Sequence, residues 1–205
     1  PTDIDVPGDL SAAAFFLVAA CLLPESNITI KNVGINPSRI GILDALTAMG
    51  GRVERTEVSN LNKEPRCTLT AVHSRLTAAN FGGSMIPTII DEIPILAIAA
   101  TQAHGNTIIR DAGELRVKES DRLAAVAQNL LAMGAQIKET RDGLVITGPT
   151  PLHGAEIDSF GDHRIAMSFT IAGLLAAGET VIKGSECVRI SFPGFFDSLE
   201  KVCVA

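Results

Sequence analysis

"DEIPILAIAATQAHGNTIIRDAGELRVKESDRLAAVAQNLLAMGAQIKET", residues 91–140, carries the pattern that sets the fold. It opens with an acid, Asp91, at the entrance of a helix rich in Ala and Ile. The turn His104-Gly105-Asn106 leads into a β-branched strand at Thr107–Ile109. After an irregular link a second, amphipathic helix runs to Met133, and Gly134 is placed to stop it. "AQIKET" then predicts another strand, and "GLVITG" an extra one that closes a hairpin-like pair.

The same order of events occurs twice more. Residues 8–56 open with Asp9, continue as the apolar helix "LSAAAFFLVAACLL", turn at Pro24–Asn27 and enter a strand at Ile28–Ile30. They end in "LTAMGG" and "RVERT", close counterparts of "LLAMGA" and "AQIKET", with Gly50 as the stop and "CTLTAV" as the extra strand. Residues 161–204 open with Asp162, run through another Ala-rich helix, turn at Gly178-Glu179 and enter a strand at Thr180–Ile182. The polar stretch Asn60–Arg66 reads as a surface turn. Repetition at this scale makes the unit helix–strand–helix–strand, in three copies at roughly 7–72, 85–148 and 155–205 of a single lobe, 1–205.

A helix that is apolar nearly all round must be buried on all sides. Three such helices bury one another at a centre, with the amphipathic helices and the sheets outside. The three Asp-led entrances then gather at one end. Each helix N-terminus contributes about +0.5 charge and free amide donors, so their convergence suits phosphate or carboxylate.

Composition limits the alternatives. The chain has 205 residues, is 46% hydrophobic, carries a net charge of −6, and contains no Trp or Tyr. That balance gives no support to nucleic-acid binding or to base stacking on aromatic platforms. Cys21, Cys67, Cys187 and Cys203 lack CxxC spacing and read as reduced thiols of a cytoplasmic protein, not as a zinc site or disulfide framework. No apolar run reaches about 18 residues, so no membrane span is expected, and no basic segment marks a signal peptide. The opening "PTDIDVPGD" resembles a strand entering a helix, which suggests missing sequence upstream. His73, His104 and His153 lie in polar links and read as surface residues; Cys187 and Met167 read as packing.

Three charged stretches stand out against the apolar background. In "RVKESDR", Lys118 and Arg122 lie four apart around Glu119 and could share a helix face. The competing reading is a capped, solvated helix start at Ser120-Asp121. In "GDHRIAMSF", Arg164 opposes the macrodipole of the helix it begins. Either an anion sits between it and the amides, or it pairs with Asp162 or a neighbouring acid. In "IIDEIP", Asp91 and Glu92 interrupt an apolar run. One acid suffices as a cap; a second, partly desolvated, would have a raised pKa and become a candidate general base.

Taken together, "RVKESDRLAAVAQNLLAMG", "GDHRIAMSF", "IIDEIPILAIAA", "VPGDLSAAAFFLVAA" and "ISFPGFF" resemble the 5-enolpyruvylshikimate-3-phosphate (EPSP) synthase family along the whole chain. The resemblance implies an α/β fold, one lobe of an inside-out α/β barrel made of three βαβαββ-type repeats around buried parallel helices. It implies transfer of the enolpyruvyl group of phosphoenolpyruvate to the 5-hydroxyl of shikimate 3-phosphate, with release of phosphate and no metal or organic cofactor. On that resemblance Asp91 accepts the hydroxyl proton and holds the shikimate ring. Glu119 stands near the phosphoenolpyruvate methylene. Lys118 lies at the reacting centre and touches the shikimate substrate. Arg122 and Arg164 grip phosphoenolpyruvate, with Glu119 beside them, and His163 supports them. Glu114 stands where some members have an Asn that touches shikimate 3-phosphate. Arg189-Ile190 stand where some members have a Lys before the Phe-Pro turn. The partners implied are the two substrates and a second lobe that carries further contacts. Two other readings remain: the sister enolpyruvyl transferase acting on UDP-N-acetylglucosamine, and a lone lobe that binds without turnover.

Overall fold

The computed structural model describes residues 5–61 and 64–203. The first unit contains α1 (Leu10–Leu22), β1 (Asn27–Gly34), α2 (Gly41–Ala48), β2 (Arg52–Leu61) and β3 (Glu64–Val72). The second contains β4 (Asn80–Phe81), α3 (Ile86–Ile89), α4 (Ile93–Gln102), β5 (Gly105–Ile109), α5 (Arg122–Ala132), β6 (Gln136–Thr140) and β7 (Gly143–Gly148). The third contains β8 (Glu156–Asp158), α6 (His163–Leu175), β9 (Val181–Lys183) and α7 (Phe195–Val202).

The three units share a parallel crossover. Gly8 bridges Val33, β4 pairs with β5, and β8 pairs with β9, each in parallel across one apolar helix. A parallel connection needs such a helix on the face of the sheet. Antiparallel hairpins then complete the first two sheets, in the orders β1-β3-β2 and β4-β5-β7-β6. The third unit has only β8-β9 among the described residues and lacks the closing hairpin, so the full βαβαββ pattern is met in two units of three.

Helices α1, α4 and α6 pack on one another at the centre. Every residue of α1 except Ala12 is buried, which is why its sequence shows no polar face. Their entrances lie together: the Ser11 hydroxyl in the first turn of α1 donates to Glu92 just before α4, and Arg164 in the first turn of α6 donates to the Asp91 carbonyl oxygen at 3.1 Å. Mutually packed helices with adjacent N-termini run parallel. Around them, α2 and α5 bury one face each, and both end at a glycine with φ of +82°, Gly50 and Gly134. A side chain there would strain the backbone, so the shared "AMG" endings are a conformational requirement. Phe195 of α7 meets Phe15 and Phe16 of α1 edge-on at 5.9 and 5.7 Å and seats the last helix on the first.

Two local expectations change. Residues 83–102 form one helical run, through 3-10 turns at Gly83–Met85 and Ile90–Glu92, long and apolar enough to cross a membrane by composition. It is largely buried, because it is the central core helix. Asn60–Leu61 and Glu64–Arg66 are paired strand residues, not a surface turn; only Asn62 and Lys63 of that stretch lie outside the described residues. Arg66 is buried there because Asp5, at 2.8 Å, and Asn32, at 2.9 Å, accept from its guanidinium. Cys21, Cys67 and Cys187 are buried free thiols and Cys203 is exposed. Burial pushes the Cys21 thiol up to about 11, so it is inert packing.

Candidate functional site

The end where the three helices begin is built from acids and guanidinium groups. Asp9 caps α1 by accepting from the Ser11 and Ala12 amides, at 3.1 and 3.2 Å. Asp162 caps α6 by accepting from the Arg164 amide at 2.8 Å. These acids occupy the very donors that a bound anion would otherwise use. The third entrance is different. Asp91 is not a cap at all; it sits inside the 3-10 turn that joins α3 to α4, where no side chain caps the helix. The expected convergence of free helix N-termini is therefore replaced by a convergence of arginines.

Asp91 is the hub. Its Oδ2 lies 3.2 Å from Arg39 Nη2 and 3.5 Å from Arg164 Nη2, and its Oδ1 lies 3.4 Å from Arg122 Nη1. Burial pushes the Asp91 carboxyl up, but Arg164, Arg39, Arg122 and Lys118 together outweigh it and hold the group below its ordinary value. Its neighbour behaves oppositely. Glu92 is 3% exposed, and burial raises its carboxyl despite the Ser11 hydroxyl and the charges of Arg164 and Arg39; the Asp91 charge adds to the rise. Of the two acids, Glu92 is the one with the raised value and Asp91 the one kept ionised.

Arg122 is held from three sides. Its Nε donates to Asp162 Oδ2 at 2.7 Å, its Nη2 to Glu119 Oε2 at 2.5 Å, and its Nη1 reaches Asp91. The side chain is 1% exposed although it opens the amphipathic helix α5. For Asp162, burial raises the carboxyl, and the hydrogen bonds and charge of Arg122, with help from the Arg164 amide and Ser120, bring it below the ordinary value. Arg164 donates to the Asp91 carbonyl oxygen and approaches Glu92 at 3.8 Å, so its ion pairs are with Asp91 and Glu92, not with Asp162.

The remaining expected residues lie around this centre. Lys118 ends the 3-10 turn Gly113–Val117 in extended backbone, outside α5, so it shares no helix face with Arg122. Its ammonium pairs with Glu114 and acts on Asp91 through its field. Glu119 is half-exposed and has one cation beside it, Arg122, where two were expected. Glu114 touches the centre only through Lys118. His163 lines a small cleft with Asp9, Ser11, Arg164, Ser191 and Phe192; burial and the Arg164 charge lower its pKa, against the pull of Asp162 and Glu119. Arg189 is exposed at the end of the 3-10 turn Ser185–Ile190. Arg116, also among the charges before α5, serves structure: it donates to the Arg141 and Thr140 carbonyl oxygens and pairs with Asp121 and Glu139.

Sequence reasoning missed Arg39 and Ser11. Arg39 precedes α2 in the first unit much as Arg122 opens α5 in the second, and the matching "AMG" ends of those helices were the signal that would have found it. Ser11 looked like one more small residue in an Ala-rich helix. Among the described residues no three His, Cys, Asp or Glu side chains form a metal-holding group.

Residues 1–199 match the family model described as EPSP synthase (3-phosphoshikimate 1-carboxyvinyltransferase). The chain is 51% identical over 199 residues to a 3-phosphoshikimate 1-carboxyvinyltransferase of Synechococcus sp. (strain JA-3-3Ab), covering 97% of this chain and 45% of that protein. It is 52% identical over 202 residues to the protein of the same name from Geobacter sulfurreducens, covering 98% and 47%. An EPSP synthase structure from Acinetobacter baumannii superposes with a TM-score of 0.93 at 39% identity, covering 96% of this chain and 46% of that one. The enolpyruvyl transferase NikO from Streptomyces tendae, at 23% identity and a TM-score of 0.78, shares the fold. The chain thus spans about half the length of the curated relatives it matches. With the buried helices, the arginine-ringed Asp91 and a family match over nearly its full length, the chain belongs to the EPSP synthase family.

Proposed function

We propose that this chain, read as one lobe over residues 1–205, supplies half of the site of an enzyme that moves the enolpyruvyl group of phosphoenolpyruvate to the 5-hydroxyl of shikimate 3-phosphate. The observation that carries the reading is the Asp91 carboxylate, kept ionised among three guanidinium groups at 3.2–3.5 Å. An ionised acid in a site dense with fixed cations is suited to accept a hydroxyl proton next to two phosphorylated substrates.

The steps balance as an addition followed by an elimination. The 5-hydroxyl oxygen bonds to C2 of phosphoenolpyruvate, its proton passes to Asp91, and a proton from the Glu119 and Lys118 side arrives at C3. The C3 proton then returns to the Glu119 and Lys118 side as the C2–O bond to phosphate breaks, which restores the enol ether, and phosphate leaves with the proton held by Asp91. Arg122 and Arg164 offer planar, paired donors suited to a carboxylate or phosphate. Their present partners, Asp91, Glu119, Asp162 and Glu92, keep both guanidinium groups preorganised at the centre. His163 backs Arg164, and Glu114 orients Lys118. No metal or organic cofactor enters. The second lobe brings the remaining substrate contacts, and free thiols fit a cytoplasmic setting.

Phosphate release is measured in the full-length protein with phosphoenolpyruvate and either shikimate 3-phosphate or UDP-N-acetylglucosamine, and then with this chain alone. Turnover with shikimate 3-phosphate only, lost in the lone chain, is expected. Turnover with the nucleotide sugar, or binding without release by the full-length protein, would replace the proposal.

A further inference from the structure

We infer that Arg39, with Ser11 and Glu92, is a positioning device for Asp91, resting on the function proposed above. Arg39 Nη2 donates to the Ser11 hydroxyl at 2.9 Å and to Asp91 Oδ2 at 3.2 Å. Ser11 in turn donates to Glu92, whose Oε1 also lies 3.9 Å from Arg39 and 3.8 Å from Arg164. Two adjacent acids are thereby bridged by two guanidinium groups, one from the first unit and one from the third.

The two arginines are not equivalent. Of the two groups assigned to an anionic substrate, Arg122 is 1% exposed and tied to Asp162, and Arg164 is 15% exposed and the one free to turn. When it turns to that substrate, Asp91 loses one of its partners. Arg39 has a tether of its own in Ser11, on the first turn of α1, and it does not depend on Arg164. It keeps a positive charge on Oδ2 through binding, while Arg122, anchored by Asp162, keeps one on Oδ1. The carboxylate is held from both oxygens by groups fixed to different helices, and so retains its aim and its charge. Glu92 is the back wall: buried, tied to Ser11, and a counter-charge that places both Arg39 and Arg164.

Every charged group facing Asp91 is then accounted for: Arg39 before α2, Glu92 beside it, Lys118 before α5, Arg122 on α5, and Arg164 on α6. Glu119 and Asp162 act through Arg122.

The test is made in the full-length protein with Arg39→Ala, Arg39→Lys and Glu92→Gln, each first checked by thermal melting. Removal of the Arg39 cation raises the Asp91 pKa, so the acid limb of kcat/KM moves to higher pH in Arg39→Ala. Glu92 has the higher pKa of the two acids and is already protonated where Asp91 titrates, so Glu92→Gln leaves the limb in place, and Arg39→Lys restores the wild-type limb. At the pH optimum kcat of Arg39→Ala falls by about 10- to 100-fold with KM for phosphoenolpyruvate little changed, the scale of a misplaced reacting group. A KM increase with constant kcat and an unmoved acid limb would make Arg39 a substrate-binding group and overturn the inference. NMR titration of the Asp91 carboxyl reads the same upward shift in Arg39→Ala without turnover. Absence of turnover in the wild-type protein sinks the proposed function; an Asp91 titration unmoved by Arg39→Ala sinks the positioning role. If Arg39→Ala fails to fold, Arg39→Gln, which keeps a donor for Ser11 but carries no charge, decides by the same upward shift.

Discussion

Arg122 on α5 and Asp162 at the entrance of α6 form a buried ion pair, Nε to Oδ2 at 2.7 Å, with side chains 1% and 0% exposed. A charge this deep is tolerated only with its partner in place, because removal of one member leaves the other desolvated and unpaired. Asp162→Asn keeps an acceptor for the Arg164 amide but removes the counter-charge. It is expected to destabilise the protein by about 3–5 kcal/mol, measured by urea unfolding at pH 7. The Asp162 carboxyl is held below its ordinary value, so its stabilisation is present above the unfolded pKa of about 3.9 and is lost as pH falls through the folded value. The gap between wild type and variant therefore narrows in acid; a gap independent of pH would contradict the pairing.

Asp91→Asn preserves shape and removes both the proposed base and the centre of the arginine ring. In the full-length protein kcat is expected to fall about 10²–10⁴-fold, the usual contribution of a positioned acid–base group. Three guanidinium groups then face a neutral amide, so affinity for an anionic ligand holds or improves. Phosphoenolpyruvate titration by calorimetry checks this, and near-normal turnover would remove Asp91 from its assigned role.

Glu92→Gln is expected to behave in the opposite sense to Asp162→Asn. The folded pKa of Glu92 is raised, so its favourable contribution is full below the unfolded value of about 4.3 and disappears as pH climbs through the folded one. The neutral amide avoids that loss. Denaturation curves from pH 4 to 8 should show the variant gaining on wild type as pH rises.

Arg116 separates the structural charges of the "RVKESDR" stretch from those proposed to act on substrate. Its guanidinium stitches the 3-10 turn before α5 to the β6–β7 connection through two carbonyl oxygens. Arg116→Ala should cost about 1–2 kcal/mol of stability, since the group is partly exposed, and leave kcat/KM nearly unchanged. A large loss of activity at full stability would mean that Arg116 belongs to the site.

The repeats, the buried Ala-rich helices and the glycine stops were legible in the chain because each is a local matter of period, turn chemistry and backbone strain. So were Asp91, Glu119, Arg122 and Arg164 as a group, through their motifs. What the sequence could not determine was which charge meets which. Lys118 and Arg122 stand four apart, yet a backbone turn sends Lys118 to Glu114 and leaves Arg122 buried against α6. Asp9, Asp91 and Asp162 look alike at three helix entrances, yet two cap their helices and the third gathers arginines. Arg39 meets Asp91 across 52 residues of chain. Pairings of that kind depend on how three separate units pack, and the field at each carboxylate follows from that packing, so only the tertiary structure decided them.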